Sequence, residues 1–228
     1  MNYTSHYTSR SLASARSEFL RKTYLNLSLG FAAFIALEAM LVNWQPAVDL
    51  AVRMISGNNW LIVLIAFMGV SWLANSWAHT GGTLGKQYAG FALYIIAESI
   101  IFLPLIIFAN SYAPDTIPQA AILTAALTAG ISAYAFISRK DFSFLGSFLT
   151  ISCFVALGII VCAILFGWQL GLWFSGAMII FAGLTVLYQT SAIIHQYRDD
   201  QHVAAALGLF ASIALMFWYI LQFLNSRR

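Results

Sequence analysis

The sequence predicts an all-α, polytopic membrane protein built as a seven-transmembrane-helix bundle. Three observations predict it. Of 228 residues, 61% are hydrophobic and only 8% are charged, against roughly 25% charged in a soluble domain. A chain this poor in polar side chains (mean hydropathy +0.82) cannot cover a water-facing globule, so its partner is the lipid bilayer. Seven stretches reach the roughly 20 mostly apolar residues that a spanning helix needs. The connections between them are short and leave no room for a soluble domain.

Residues 1–20 are rich in Ser, Thr, Tyr and Arg and have no apolar core, so they are not a signal peptide. They read as a flexible cytoplasmic tail, which buries too little surface to offset its ordering entropy. Residues 21–228 form the membrane domain. The first span is Tyr24–Val42, with Glu38 in its outer part, and Asn43-Trp44-Gln45-Pro46 turns the chain. The second is Asn59–Ala78, followed by a Gly81-Gly82 turn. The third, Tyr88–Ala109, carries Glu98 mid-way and Pro104, which is expected to kink it. After Ala113-Pro114-Asp115 comes the fourth, Ile117–Ile137. There Ala121, Ala125, Ala129 and Ala133 recur every four residues, and this row predicts a tight helix-packing face. Asp141 is placed to cap the fifth span, Leu145–Phe166. Cys153 and Cys162, nine residues apart, fall on opposite faces about 13 Å apart along a helix axis, so they cannot pair. The sixth span is Gly171–Tyr188 and the seventh Val203–Leu224. Trp44, Trp60, Trp77, Trp168 and Trp173 at span ends form the expected aromatic belt.

Charge orients the chain. With the N-terminus inside, eight of the eleven Lys and Arg residues fall on the cytoplasmic side: Arg10, Arg16, Arg21, Lys22, Lys86, Arg139, Lys140 and Arg198. A net charge of +3 carried by loop residues is no nucleic-acid patch. His79, His195 and His202 fall in predicted cytoplasmic loops, where they either sense pH or are simply solvated; their spacing matches no zinc motif. Arg198-Asp199-Asp200 reads as a solvated turn. There is no His-Glu-x-x-His, nucleophile elbow or phosphate loop. No enzyme, cofactor or metal site is expected.

Several segments resemble one family. They are Phe19-Leu20-Arg21-Lys22-Thr23-Tyr24, the run Ser138-Arg139-Lys140-Asp141-Phe142-Ser143-Phe144-Leu145-Gly146, the end of the sixth span at Val186-Leu187-Tyr188-Gln189-Thr190, and the seventh span from Ala204 through Gly208 to Leu221. Together they resemble the Bax inhibitor-1 family, also called transmembrane Bax-inhibitor-motif proteins, and look like a bacterial member. The resemblance implies a seven-helix bundle with its last helix near the centre, in a bacterial inner membrane. It also implies a channel-like leak for calcium or protons, because some members are described as pH-sensitive calcium leaks closed by two facing aspartates. The matching positions here are Gln189 and Ser212. Two close carboxylates share protons and titrate near neutral pH; Gln and Ser do neither. A second implication is a non-transporting role. Some bacterial members are described as modulating a membrane-anchored AAA protease, for which residues 1–20 would be the handle in a stress response.

Four residues are therefore candidates for an ion path: Glu98, Glu38, Gln189 and Ser212. A carboxylate at the depth of Glu98 costs several kcal/mol unless paired, hydrated or protonated. It is either a cation or proton site facing the bundle interior or a protonated acid hydrogen-bonded between helices. Glu38 either lines an outer vestibule or reaches the interface. Gln189 and Ser212 either coordinate an ion weakly through neutral oxygens or make an interhelical polar contact.

Overall fold

The computed structural model describes residues 3–79 and 83–227, with side chains from residue 14 onward; the Gly81-Gly82 turn and the side chains of Arg10 and Arg228 lie outside these. Among the described residues eight helices follow in order: α1 (Tyr3–Val42), α2 (Gln45–Ile55), α3 (Asn59–His79), α4 (Leu84–Tyr112), α5 (Thr116–Ser138), α6 (Leu145–Phe166), α7 (Leu172–His195) and α8 (His202–Ser226). Among the described residues there is no strand. In hydrocarbon a helix satisfies every backbone donor and acceptor within its own segment. All but α2 are long and apolar enough to span a bilayer, as the hydropathy of the sequence requires.

Most spanning helices extend one to four residues past the expected span ends, as α4 does at both of its ends, and three differences are larger or change the connections. First, α1 starts at Tyr3 and runs through residue 20 without a break. Second, the loop expected after residue 43 contains α2. Pro46 sits in its first turn, where a missing N–H is harmless. Ala47, Ala51 and Met54 are buried, with Ala47 and Ala51 packed on Leu103 of α4. Eleven residues are too few to span a bilayer, so a search for spans passes over α2. Third, α7 continues past Tyr188 to His195, and α8 opens at His202. The three loop histidines are thus helix-terminal, and His202 is buried.

The last span takes the centre. Helix α8 packs against α1, α3, α4, α5 and α7, and every residue from 203 to 210 is buried. Small side chains at Ala204, Ala205, Ala206 and Gly208 let neighbouring backbones come close. Beyond them Phe210 is surrounded by the rings of Phe31, Phe34, Phe91 and Tyr94. Helix α6 is peripheral, packing on α7 and touching α3.

Two local expectations are corrected. The row Ala121, Ala125, Ala129 and Ala133 is exposed on the outside of the bundle. The packed face of α5 is instead Ala120, Thr124 and Ala135, with Thr128 and Ser132 half-buried. The hydroxyls decide this. Thr128 Oγ1 lies 3.9 Å from Met216 Sδ and Ser132 Oγ lies 3.3 Å from Thr190 Oγ1, whereas alanine methyls are equally at home in lipid. Asp141 does not cap α6, whose N-cap position is Phe144. Its Oδ1 accepts from the Ser143 amide at 2.9 Å, closing a tight turn before the helix.

Candidate functional site

The two positions singled out on α7 and α8 converge on Gly208. A Cβ added there would lie 2.8 Å from Gln189 Oε1, so the Gln189 amide rests directly on the glycine. Ser212 Oγ donates to the Gly208 carbonyl at 2.9 Å, one turn back along its own helix. No hydrogen bond joins the Gln189 and Ser212 side chains among the described residues. Ser212 is therefore satisfied within α8, while Gln189 faces a polar cavity of about 440 Å³ lined by Asn75, His79, Tyr188, Tyr197 and Gln201. The Tyr197 hydroxyl donates to Gln189 Oε1 at 3.5 Å. Burial, with Tyr188 close by, pushes the Tyr197 phenol up to about 12, so it remains a neutral donor at physiological pH. The cavity offers amides, hydroxyls and an imidazole, and no carboxylate lines it. It can hydrate or weakly coordinate a cation but cannot perform the shared-proton chemistry of an acid pair.

The two glutamates lie elsewhere. Glu98 on α4 is only 5% exposed. The Tyr94 hydroxyl, one turn back, hydrogen-bonds it, while Oε2 has no partner. It lines a second cavity, between α3, α4, α6 and α8. Glu38 on α1 is 7% exposed and neither of its oxygens is bonded. It stands one turn beyond Phe34, whose ring packs on Phe102 and Phe210. The ion pairs among the described residues are Arg16–Asp199, Lys22–Glu18 and Arg198–Asp200, and they involve neither glutamate. The Phe210 ring, two residues beyond Gly208 on α8, packs on Phe91 and Tyr94, the latter one turn before Glu98 on α4. The structure thus sets Gln189 against Gly208 and bonds Ser212 to the Gly208 carbonyl, with no hydrogen bond between the two side chains, and leaves Glu38 and Glu98 apart from that cavity.

Two features escaped the sequence reading. Arg16, counted only as a basic residue near the membrane surface, reaches under the C-terminus of α7. Its guanidinium donates to the carbonyls of Ile193, Ile194 (3.0 Å) and Tyr197 (2.9 Å) and to Asp199 Oδ1 (3.2 Å), and stacks 4.4 Å above the Phe19 ring. The last carbonyls of a helix lack intrahelical donors, and a cation there also suits the helix dipole. The second is Ser191. Its Oγ accepts from the Phe142 amide at 2.9 Å and donates to the Lys140 carbonyl at 3.4 Å, fastening the Arg139-Lys140-Asp141-Phe142 turn to α7. Both partnerships cross from about 50 to over 180 residues of sequence, and no local pattern announces them.

The sequence model of a family described as "Inhibitor of apoptosis-promoting Bax1" matches residues 16–228. A protein of Pseudomonas aeruginosa is 31% identical over 216 residues, covering 90% of this chain and 88% of the relative. The "Golgi anti-apoptotic protein" of Vaccinia virus (strain Lister) is 29% identical over 233 residues, 98% of this chain and 91% of its own length. "Protein lifeguard 4" of Mus musculus is 28% identical over 237 residues, 99% and 91% respectively.

Proposed function

The chain belongs to the Bax inhibitor-1 family, and from that premise we propose that it is a slow, channel-like leak for protons in a bacterial inner membrane, with its N-terminus in the cytoplasm. One observation carries the reading: two carboxylates, Glu98 and Glu38, are buried inside a membrane bundle with oxygens that no protein group satisfies. An intramembrane carboxylate is costly and marks an ion or proton pathway more often than not. Protons fit these groups better than calcium does, because calcium takes 6–8 oxygens, charged ones included, and Gln189 and Ser212 supply only neutral ones. The polar cavity at Gln189 supplies hydration at one end. The ring cluster around Phe210 keeps the flux slow by separating that cavity from Glu98. The relative in Pseudomonas supports a bacterial setting, and the excess of Lys and Arg at the end that holds Arg16, Lys140 and Arg198 supports the orientation.

The protease-modulating alternative gives residues 1–20 to another protein. Arg16 and Phe19 within that stretch are already engaged by this chain, which favours the leak. The test is flux of protons, and separately of calcium, through purified protein in liposomes across pH. Proton flux well above that of protein-free liposomes, abolished in Glu98→Gln, is expected. A Glu98→Gln protein that folds and leaks at the unaltered rate removes Glu98 from the path. A calcium flux with no proton flux overturns the choice of ion.

A further inference from the structure

The cavity that holds Glu98 has a volume of about 510 Å³, within the roughly 300–1,000 Å³ of small-ligand sites. It extends along α3 from Trp60 to Ser71, about 16 Å at 1.5 Å per residue. Its walls are aromatic. Trp60 and Trp218 stack at 6.2 Å, and Phe102 meets Trp218 edge-on at 4.9 Å. Met68 and Cys153 on its rim are exposed toward lipid, and α3 and α6 touch only lightly, so an amphiphile can enter from the bilayer.

Three buried polar atoms in this lining have no partner: Glu98 Oε2, Gln222 Oε1 and Ser71 Oγ. The first two only accept hydrogen bonds when the carboxyl is ionised. Aromatic faces add negative potential. The lining therefore lacks what a donor-rich, positively charged ligand would bring. An anion is repelled by the carboxylate and the ring faces. A bare inorganic cation finds too few oxygens among apolar walls to replace its water. An organic ammonium with a hydrocarbon body meets both demands. We propose that this cavity binds a lipophilic organic cation of the alkylammonium class, its N–H groups donating to Glu98 and its chain lying against Trp60, Phe102 and Trp218. This inference needs equilibrium binding only and is independent of any leak.

The test uses the full-length protein in zwitterionic-lipid nanodiscs, with empty discs subtracted, and follows tryptophan fluorescence at pH 7. The probes are octylamine, which is protonated at that pH, and its length-matched controls 1-octanol and sodium octanoate. Octylamine is expected to saturate at a concentration about tenfold lower than either control, the effect of one charge-assisted hydrogen bond. Glu98→Gln should bring octylamine to the level of octanol. Leu157→Trp, which fills the cavity from α6, should remove saturable binding of octylamine, with thermal unfolding verifying that each variant is folded. Equal binding of all three probes overturns the proposal and makes the cavity a slot for lipid chains. An unaltered octylamine affinity in folded Glu98→Gln, or no saturable binding at all, overturns it too. Because no gradient is applied, a protein that carries no protons still passes this test, and one that leaks protons can still fail it.

Discussion

Replacing Gly90 by alanine puts a methyl group into the crossing of α3 and α4. The new Cβ would lie 2.6 Å from the Ala74 carbonyl oxygen, 2.9 Å from Trp77 Cβ and 3.1 Å from the Ala78 amide nitrogen. The first distance falls 0.8 Å short of the 3.4 Å at which ordinary contact begins. All three atoms belong to, or are rigidly attached to, the α3 backbone, so no rotamer change relieves the clash and the helix itself must move. Overpacking of this kind costs about 1–3 kcal/mol, and the rigid neighbours put Gly90 at the upper end. Alanine's better helix propensity returns up to about 1 kcal/mol, leaving a net loss of about 2 kcal/mol, roughly 30-fold in the unfolding equilibrium. Gly208→Ala is the internal control. Its Cβ would meet Gln189 Oε1 at 2.8 Å, Cδ at 3.0 Å and Nε2 at 3.2 Å, all at the free end of a flexible side chain that can swing into the polar cavity. That rotation breaks the bond from Tyr197, and the propensity gain offsets most of the loss, so the net effect should be within about 0.5 kcal/mol of zero. Reversible unfolding in mixed micelles, followed by circular dichroism, measures both. A Gly90→Ala protein as stable as the parent, or a Gly208→Ala protein that is the weaker of the two, would refute the reasoning that rigid and flexible neighbours separate these glycines.

Three further outcomes are expected. Arg16→Gln should cost about 2–3 kcal/mol, because charged hydrogen bonds to the α7 carbonyls are lost while the half-exposed ion pair to Asp199 contributes little; hydrogen exchange should quicken at the end of α7, and unchanged exchange there would show that the guanidinium does not cap it. Gln189→Asp with Ser212→Asp should create two carboxylates around Gly208 that raise each other's proton affinity. Groups with raised folded-state affinity contribute stability at low pH that is lost as pH rises, so the double variant should melt higher at pH 5 than at pH 8, and a flat profile would mean that the two side chains do not meet. Reporter domains fused after Lys140 and after Gly167 should read cytoplasmic and external respectively, and the reverse pattern would invert the orientation.

What the sequence determined by itself is whatever hydropathy and turn chemistry report. The seven spans, their order and the mid-span position of Glu98 are all legible, because a bilayer imposes one length and one polarity on every spanning helix, whereas the short helix α2 in the first connection is not. The family was legible too, from the turn around Asp141 and from Leu187-Tyr188-Gln189-Thr190. Which face of each span packs was not. In lipid, an outward face is as apolar as an inward one, so the periodicity that orients a soluble helix is absent. Hence the alanine row of α5 looked like an interface and turned outward, while Thr124, Thr128 and Ser132 marked the packed side. Trp60 read as a belt residue and became part of a cavity wall. The meeting of Gln189 with Gly208, the reach of Arg16 to the end of α7 and the unpartnered oxygens of Glu38 and Glu98 depend on helices brought together from distant parts of the chain. Only the tertiary structure decides such pairings, because the free energy of each belongs to both partners and to the space between them.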